Sequence, residues 1–149
     1  MIDKTKDECI YVMCSRRFVV YNGSECMILS NNNDQTTTLV TNIEDYIVNG
    51  SDTKFKTTVD TSLLDDIYYY QLSATYGGIE FTDINWTHGL EYAFLHVNDS
   101  DVNYDDPRLK QLGFRFIPSD YEYSKEVKKA ELQNLQLNIV YVKNNKKVL

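Results

Sequence analysis

The chain has 149 residues, 42% hydrophobic and 25% charged, and its 15 basic and 22 acidic side chains give a net charge of −7. That length suits a single globular domain whose core needs no disulfide or metal staple, and the acidic balance argues against a protein whose main work is gripping phosphates. Three cysteines and two histidines leave little material for metal or nucleophilic chemistry, and no apolar run approaches the roughly 18 residues that a membrane-crossing helix needs.

Five of the six residues from Asp3 to Glu8 are charged, and the start holds no signal-like apolar run. With Cys9, Cys14 and Cys26 odd in number and unevenly spaced, a reducing, cytoplasmic setting is expected. Ile10 to Met13 reads as strand-like, and Phe18 to Tyr21 and Cys26 to Leu29 flank Asn22-Gly23. Both central residues of that dipeptide tolerate positive φ, so a hairpin is predicted with arms near 16–21 and 24–30. The polar run 30–35 reads as a loop. Leu39, Val40, Ile43, Tyr46 and Ile47 form the stripe of a helix that Asn49-Gly50 would stop.

Lys54 to Val59 alternates as a strand, and a helical turn near 62–66 leads into a tyrosine-rich strand ending at the Gly77-Gly78 turn. Further strands are expected at Ile79–Phe81, at Leu90–Val97 with Leu90, Tyr92, Phe94 and His96 on one face, and at Gly113–Ile117 before Pro118. Ser124–Leu132 reads as a polar helix, and Leu135, Leu137, Ile139 and Tyr141 mark the last strand before a frayed tail. About seven strands with two or three short helices predict one mostly antiparallel α+β domain spanning the whole chain.

Few constellations carry chemistry. Asp99-Ser100-Asp101-Val102-Asn103 opens like a calcium loop, but Tyr104 stands where glycine is needed and Lys110 where the bidentate glutamate belongs. His88-Gly89-Leu90 and His96-Val97-Asn98 lack the hydroxyls of a two-histidine phosphoesterase, so His96 is expected to be a hydrogen-bonded structural residue. Glu126-Val127-Lys128 has the spacing of a magnesium nuclease but falls in the predicted helix, only six residues past Asp120. Cys14 beside Arg16 and Arg17 could be activated as a thiolate only with a base in reach. No phosphate loop, dinucleotide fingerprint or nucleophile elbow is present, and no catalytic residue, metal ligand or cofactor site is assigned.

The charge is polarised along the chain. Residues 1–30 balance, residues 31–107 hold fourteen acids against two bases and seven tyrosines, and residues 108–149 hold four acids against nine bases. Carboxylates attract a basic partner over long range while tyrosines supply contact area at low entropy cost. The expectation is therefore a non-enzymatic acidic interaction protein that binds and inhibits a basic, nucleic-acid-handling protein. Its contacts are Asp65, Asp66, Asp83, Asp99, Asp101, Asp105 and Asp106, with Tyr68, Tyr70 and Tyr104 as anchors. The abundance of Asn, Tyr, Lys and Ile over Ala and Pro points to an AT-rich genome such as a phage or another mobile element. Two alternatives stand beside this one: a small metal-dependent enzyme acting on nucleotides or nucleic acid, and a structural or assembly subunit. Arg108, Lys110, Arg115, Lys125, Lys128 and Lys129 are left to touch phosphate or to pair with the protein's own acidic face.

Overall fold

The computed structural model describes residues 6–142. Among them the chain forms α1 (Asp7–Met13), β1 (Arg17–Tyr21), β2 (Ser24–Asn31), β3 (Thr36–Val40), α2 (Ile43–Asn49), β4 (Lys56–Asp60), β5 (Tyr68–Tyr76), β6 (Ile79–Phe81), β7 (Asp83–Trp86), β8 (Tyr92–Asn98), α3 (Arg108–Gln111), β9 (Arg115–Ile117), β10 (Glu122–Lys128) and β11 (Gln133–Tyr141). This is a mostly antiparallel α+β architecture, richer in strands than the expected seven. It divides into two compact units, one made of the chain up to Tyr70 with the chain from Ile139, the other of Gln71–Asn138.

In the first unit the Asn22-Gly23 hairpin forms as expected. Both residues have positive φ, at 52° and 78°, and β1 pairs with β2 from Phe18↔Met27 to Tyr21↔Ser24. The strand order is β11-β5-β1-β2-β3-β4. Val19, Cys26, Leu39, Val59 and Leu64 make a buried cluster, and complete burial of a side chain such as Val19 contributes about 1.5–3 kcal/mol.

Two expectations for this unit are corrected. Ile10 to Met13 lies in helix α1, not in a strand. Cys9, Ile10 and Met13 are buried at helical spacing while Asp7 and Glu8 occupy the first turn, where carboxylates complement the helix dipole. The predicted helix from Leu39 begins only at Ile43. Thr36 to Thr38 are β-branched and lead Leu39 and Val40 into β3, between β2 and β4. Asn42 then accepts a hydrogen bond from the Asp45 amide as N-cap of α2.

The second unit is built on the four-stranded order β7-β8-β10-β9, with β5 and β6 paired through the Gly77-Gly78 turn. Its core joins Ile79, Phe81, Leu95, Val97, Leu109, Phe114 and Val127. On β8 the buried face is Ala93, Leu95 and Val97, whereas Tyr92 and Phe94 are exposed, so the stripe of aromatic residues points away from the core. Ser124–Leu132, predicted as a helix, is mostly strand β10 followed by one 3-10 turn at Lys129–Glu131. Tyr123, Lys125 and Val127 alternate inward there, and the lysine in the middle of the inward row disguised the period of two. Phe114 stacks on Phe81 with centroids 5.3 Å apart, while Phe116 reaches the surface. The expected frayed tail, 144–147, lies outside the described residues.

Candidate functional site

Four of the expected contact residues belong to the first unit. Asp65 and Asp66 are exposed in the turn before β5, and Asp66 takes the left-handed conformation with φ 56°. Tyr68 and Tyr70 are not surface anchors. They are 4% and 5% exposed, packed on Phe18 at centroid distances of 6.1 and 5.2 Å. Both phenols donate to the same oxygen, Oε2 of Glu25, Tyr68 at 2.5 Å. Burial first, and then the Glu25 carboxylate, push the Tyr68 hydroxyl well above the usual tyrosine range. Strand alternation explains the correction: in β5 the residues 68, 70 and 72 face the core, and Tyr69 faces solvent.

The remaining six lie in the second unit. Asp83 and Asp101 line one open groove of about 480 Å³ together with Asn98 and Ser100. Three of its polar residues, Asn98, Ser100 and Asp101, are engaged in local turn bonds. Ser100 donates through its amide and its hydroxyl to Asn98 Oδ1 at 3.1 and 2.6 Å, and the Asn103 amide donates to Asp101 Oδ1 at 3.0 Å. These are the turn bonds that Asn and Asp make with the chain two residues on, and they take up the loop that opened like a calcium site. Among the described residues no group of three His, Cys, Asp or Glu side chains is placed to hold a metal.

Tyr104 is the expected anchor that keeps its place near the surface. Its ring lies 5.6 Å from Tyr123 and 6.4 Å from Phe116. Phe116 in turn packs 5.1 Å from Tyr123 and 6.4 Å from Tyr121. Phe116 is 41% and Tyr121 63% exposed, while Tyr104 and Tyr123 rest on the core of the unit. The Tyr104 hydroxyl is pushed up by partial desolvation, then by Tyr123, then by the charges of Asp99 and Asp105, and last by Tyr121. One expected tyrosine, acted on by the charges of two expected carboxylates, thus joins three aromatic residues that sequence reasoning passes over. Phe116, Tyr121 and Tyr123 fall in the basic third of the chain, and it is the pairing of β10 with β8 that brings them to the acidic block.

Asp106 is held differently. Arg108 grips it through Nε and Nη2, the closest approach being 2.8 Å, and these hydrogen bonds lower the Asp106 carboxyl below the usual range. Its charge is already answered within the chain. Lysines of the same third are also engaged. The ammonium of Lys125 lies 5.2 Å from the centre of the Tyr76 ring and donates to its hydroxyl at 2.9 Å and to the Leu112 carbonyl. That of Lys129 lies 4.4 Å from the centre of Trp86 and donates to the Thr87 carbonyl. Pairing with the protein's own groups is thus the arrangement found for Arg108, Lys125 and Lys129.

The minor chemical constellations come apart. Desolvation and the neighbouring Cys9 push the Cys14 thiol up to about 11, the opposite of the lowering that an activated thiolate needs. His96 contacts Glu122 through Nδ1 at 3.3 Å and Asn85 through Nε2 at 3.2 Å. With Asn85 Nδ2 donating, Nε2 accepts and Nδ1 carries its proton toward Glu122. Glu126 and Lys128 sit on a strand after all, but opposite Phe94 and Tyr92. No helix among the described residues is long and apolar enough to cross a membrane. No protein-family model, curated protein or solved structure matches this chain.

Proposed function

We propose that the chain is an acidic interaction protein that docks on a basic, nucleic-acid-handling protein and inhibits it by covering its cationic surface. The observation that carries this reading is the cluster of Tyr104, Phe116, Tyr121 and Tyr123 rings, with Phe116 and Tyr121 exposed, on whose Tyr104 phenol the charges of Asp99 and Asp105 act. Aromatic anchors at the centre of a contact supply most of its energy, and carboxylates at its rim steer a cationic partner into register. Tyr68 and Tyr70 have no part in the contact, and Asp106 a reduced one.

Selection of random peptides displayed on phage tests it directly, because the bait is the chain itself. The enriched sequences are expected to be rich in Arg and Lys, and to be lost when Asp99 and Asp105 are both changed to Lys. Enrichment of uncharged sequences, or of none, overturns the proposal.

An assembly role has its own support in β11, the terminal strand of its sheet. None of its nine residues is charged, and Ile139 and Tyr141 are 49% and 64% exposed. An edge without charge or proline is a template for another strand. Under this reading sedimentation velocity shows association that grows with protein concentration and is abolished by Ile139→Lys; a monomer at all concentrations removes it.

A further inference from the structure

Within the second unit, ammonium groups and aromatic rings meet repeatedly. Lys125 lies against Tyr76 and Lys129 against Trp86, each with an oxygen acceptor at hand. The cluster of Tyr104, Phe116, Tyr121 and Tyr123 offers the same ingredients on a larger scale. Four rings lie in mutual contact, with centroids 5.1–6.4 Å apart and planes tilted by 58–86°. Two of the rings are open to solvent, and the carboxylates of Asp99 and Asp105 act on the phenol of a third. Among the described residues no lysine or arginine of the chain sits over any of these four rings.

A ring presents a negative face, and a cation placed over it within about 6 Å gains roughly 0.5–1 kcal/mol at an exposed site. Two nearby carboxylates add long-range attraction and supply acceptors for the cation's N–H groups. Arginine suits such a seat better than lysine, because its planar guanidinium stacks on a ring while its edge donates to a carboxylate. Anions are turned away by the same two charges.

We propose that the Tyr104–Phe116–Tyr121–Tyr123 cluster is an arginine seat, which takes the guanidinium of one side chain of the basic partner over its exposed rings while Asp99 and Asp105 receive its N–H groups. This inference rests on the reading of the chain as a binder of a basic protein, and it adds where and how the cation is held.

The test is an NMR titration of the full chain with a short glycine-flanked arginine peptide, and with the same peptide carrying citrulline, which keeps the shape and removes the charge. Saturable shifts of the ring protons of Phe116, Tyr121 and Tyr123 are expected with arginine and not with citrulline. Tyr121→Leu or Phe116→Leu should weaken the arginine peptide by about two- to fivefold, one ring contact converted at room temperature. The amide spectrum of each variant verifies that the fold is intact. Equal shifts with both peptides, or shifts confined to the groove of Asp83 and Asp101, overturn the seat. If basic peptides are enriched by display yet leave these rings unmoved, the seat fails and the broader function stands; if no basic peptide is enriched, the broader function fails as well.

Discussion

Phe116 on β9 and Tyr123 on β10 stand directly opposite one another in the antiparallel register, with ring centroids 5.1 Å apart and planes at 58°. Such a cross-strand aromatic pair contributes about 0.5–1.5 kcal/mol beyond the area it buries. A double-mutant cycle of Phe116→Ala and Tyr123→Ala by urea denaturation should recover a coupling energy in that range. Strict additivity would mean that the rings are neighbours without being partners, and that the aromatic surface is not pre-formed.

The Tyr68 phenol is held protonated in the fold, by burial and by Glu25. A group with a raised folded pKa stabilises the fold fully below its unfolded pKa, near 10 for tyrosine, and that contribution is lost as pH rises above it. Stability of the parent chain should therefore fall with rising alkalinity above about pH 10, Tyr68 adding up to about 1.4 kcal/mol per pH unit to the slope. Tyr68→Phe should show a shallower decline. The same slope in both proteins would contradict the phenol–carboxylate network.

Cys14 is exposed, whereas Cys9 and Cys26 are buried. With its thiol raised from 9.0 to about 11, Cys14 holds about a hundredfold less thiolate at neutral pH than an ordinary cysteine. Iodoacetamide should label it slowly at about pH 7.5, with a rate that climbs until about pH 11. Fast labelling at neutral pH would restore Cys14 as a nucleophile.

Gly77 and Gly23 both sit at positive φ in two-residue hairpin turns, at 58° and 78°. A Cβ on Gly77 would lie 2.5 Å from Leu112 Cδ2, while one on Gly23 would meet nothing within 4 Å. Gly23→Ala should cost about 1 kcal/mol for the left-handed backbone alone, and Gly77→Ala about 1–3 kcal/mol more for the crowding. Denaturation midpoints for the two variants check the order; equal losses would mean that Leu112 moves aside freely.

Local chemistry makes part of this molecule readable from its sequence. Asn22-Gly23 and Gly77-Gly78 each form the two-residue turn their φ preferences demand, and the strand expected over 135–141 forms as β11, although its row of Leu135 and Leu137 is continued by Val140 while Ile139 and Tyr141 face outward. Failures arise where an inward position carries an unexpected side chain. Lys125 on the inner row of β10 finds the Leu112 carbonyl and the Tyr76 hydroxyl, which is possible only in the folded pairing. Parity misleads the choice of Tyr68 and Tyr70: a tyrosine run in a strand must place alternate rings inside, and composition does not say which. The aromatic site is half legible. Asp99, Tyr104 and Asp105 are close in sequence, but Phe116, Tyr121 and Tyr123 join them through a strand pairing between segments of opposite charge.

The most direct measurement is the affinity of one selected basic peptide by calorimetry from about 50 to about 500 mM salt, where the screening length falls from about 14 Å to about 4 Å. The parent chain should lose affinity steeply. Asp99→Asn/Asp105→Asn should bind weakly with a flattened salt dependence, and the charge-neutral Asp106→Asn/Arg108→Gln should follow the parent. Affinity indifferent to salt, or equal losses in the two double variants, would contradict a docking site built on Asp99, Asp105 and the rings around Tyr104.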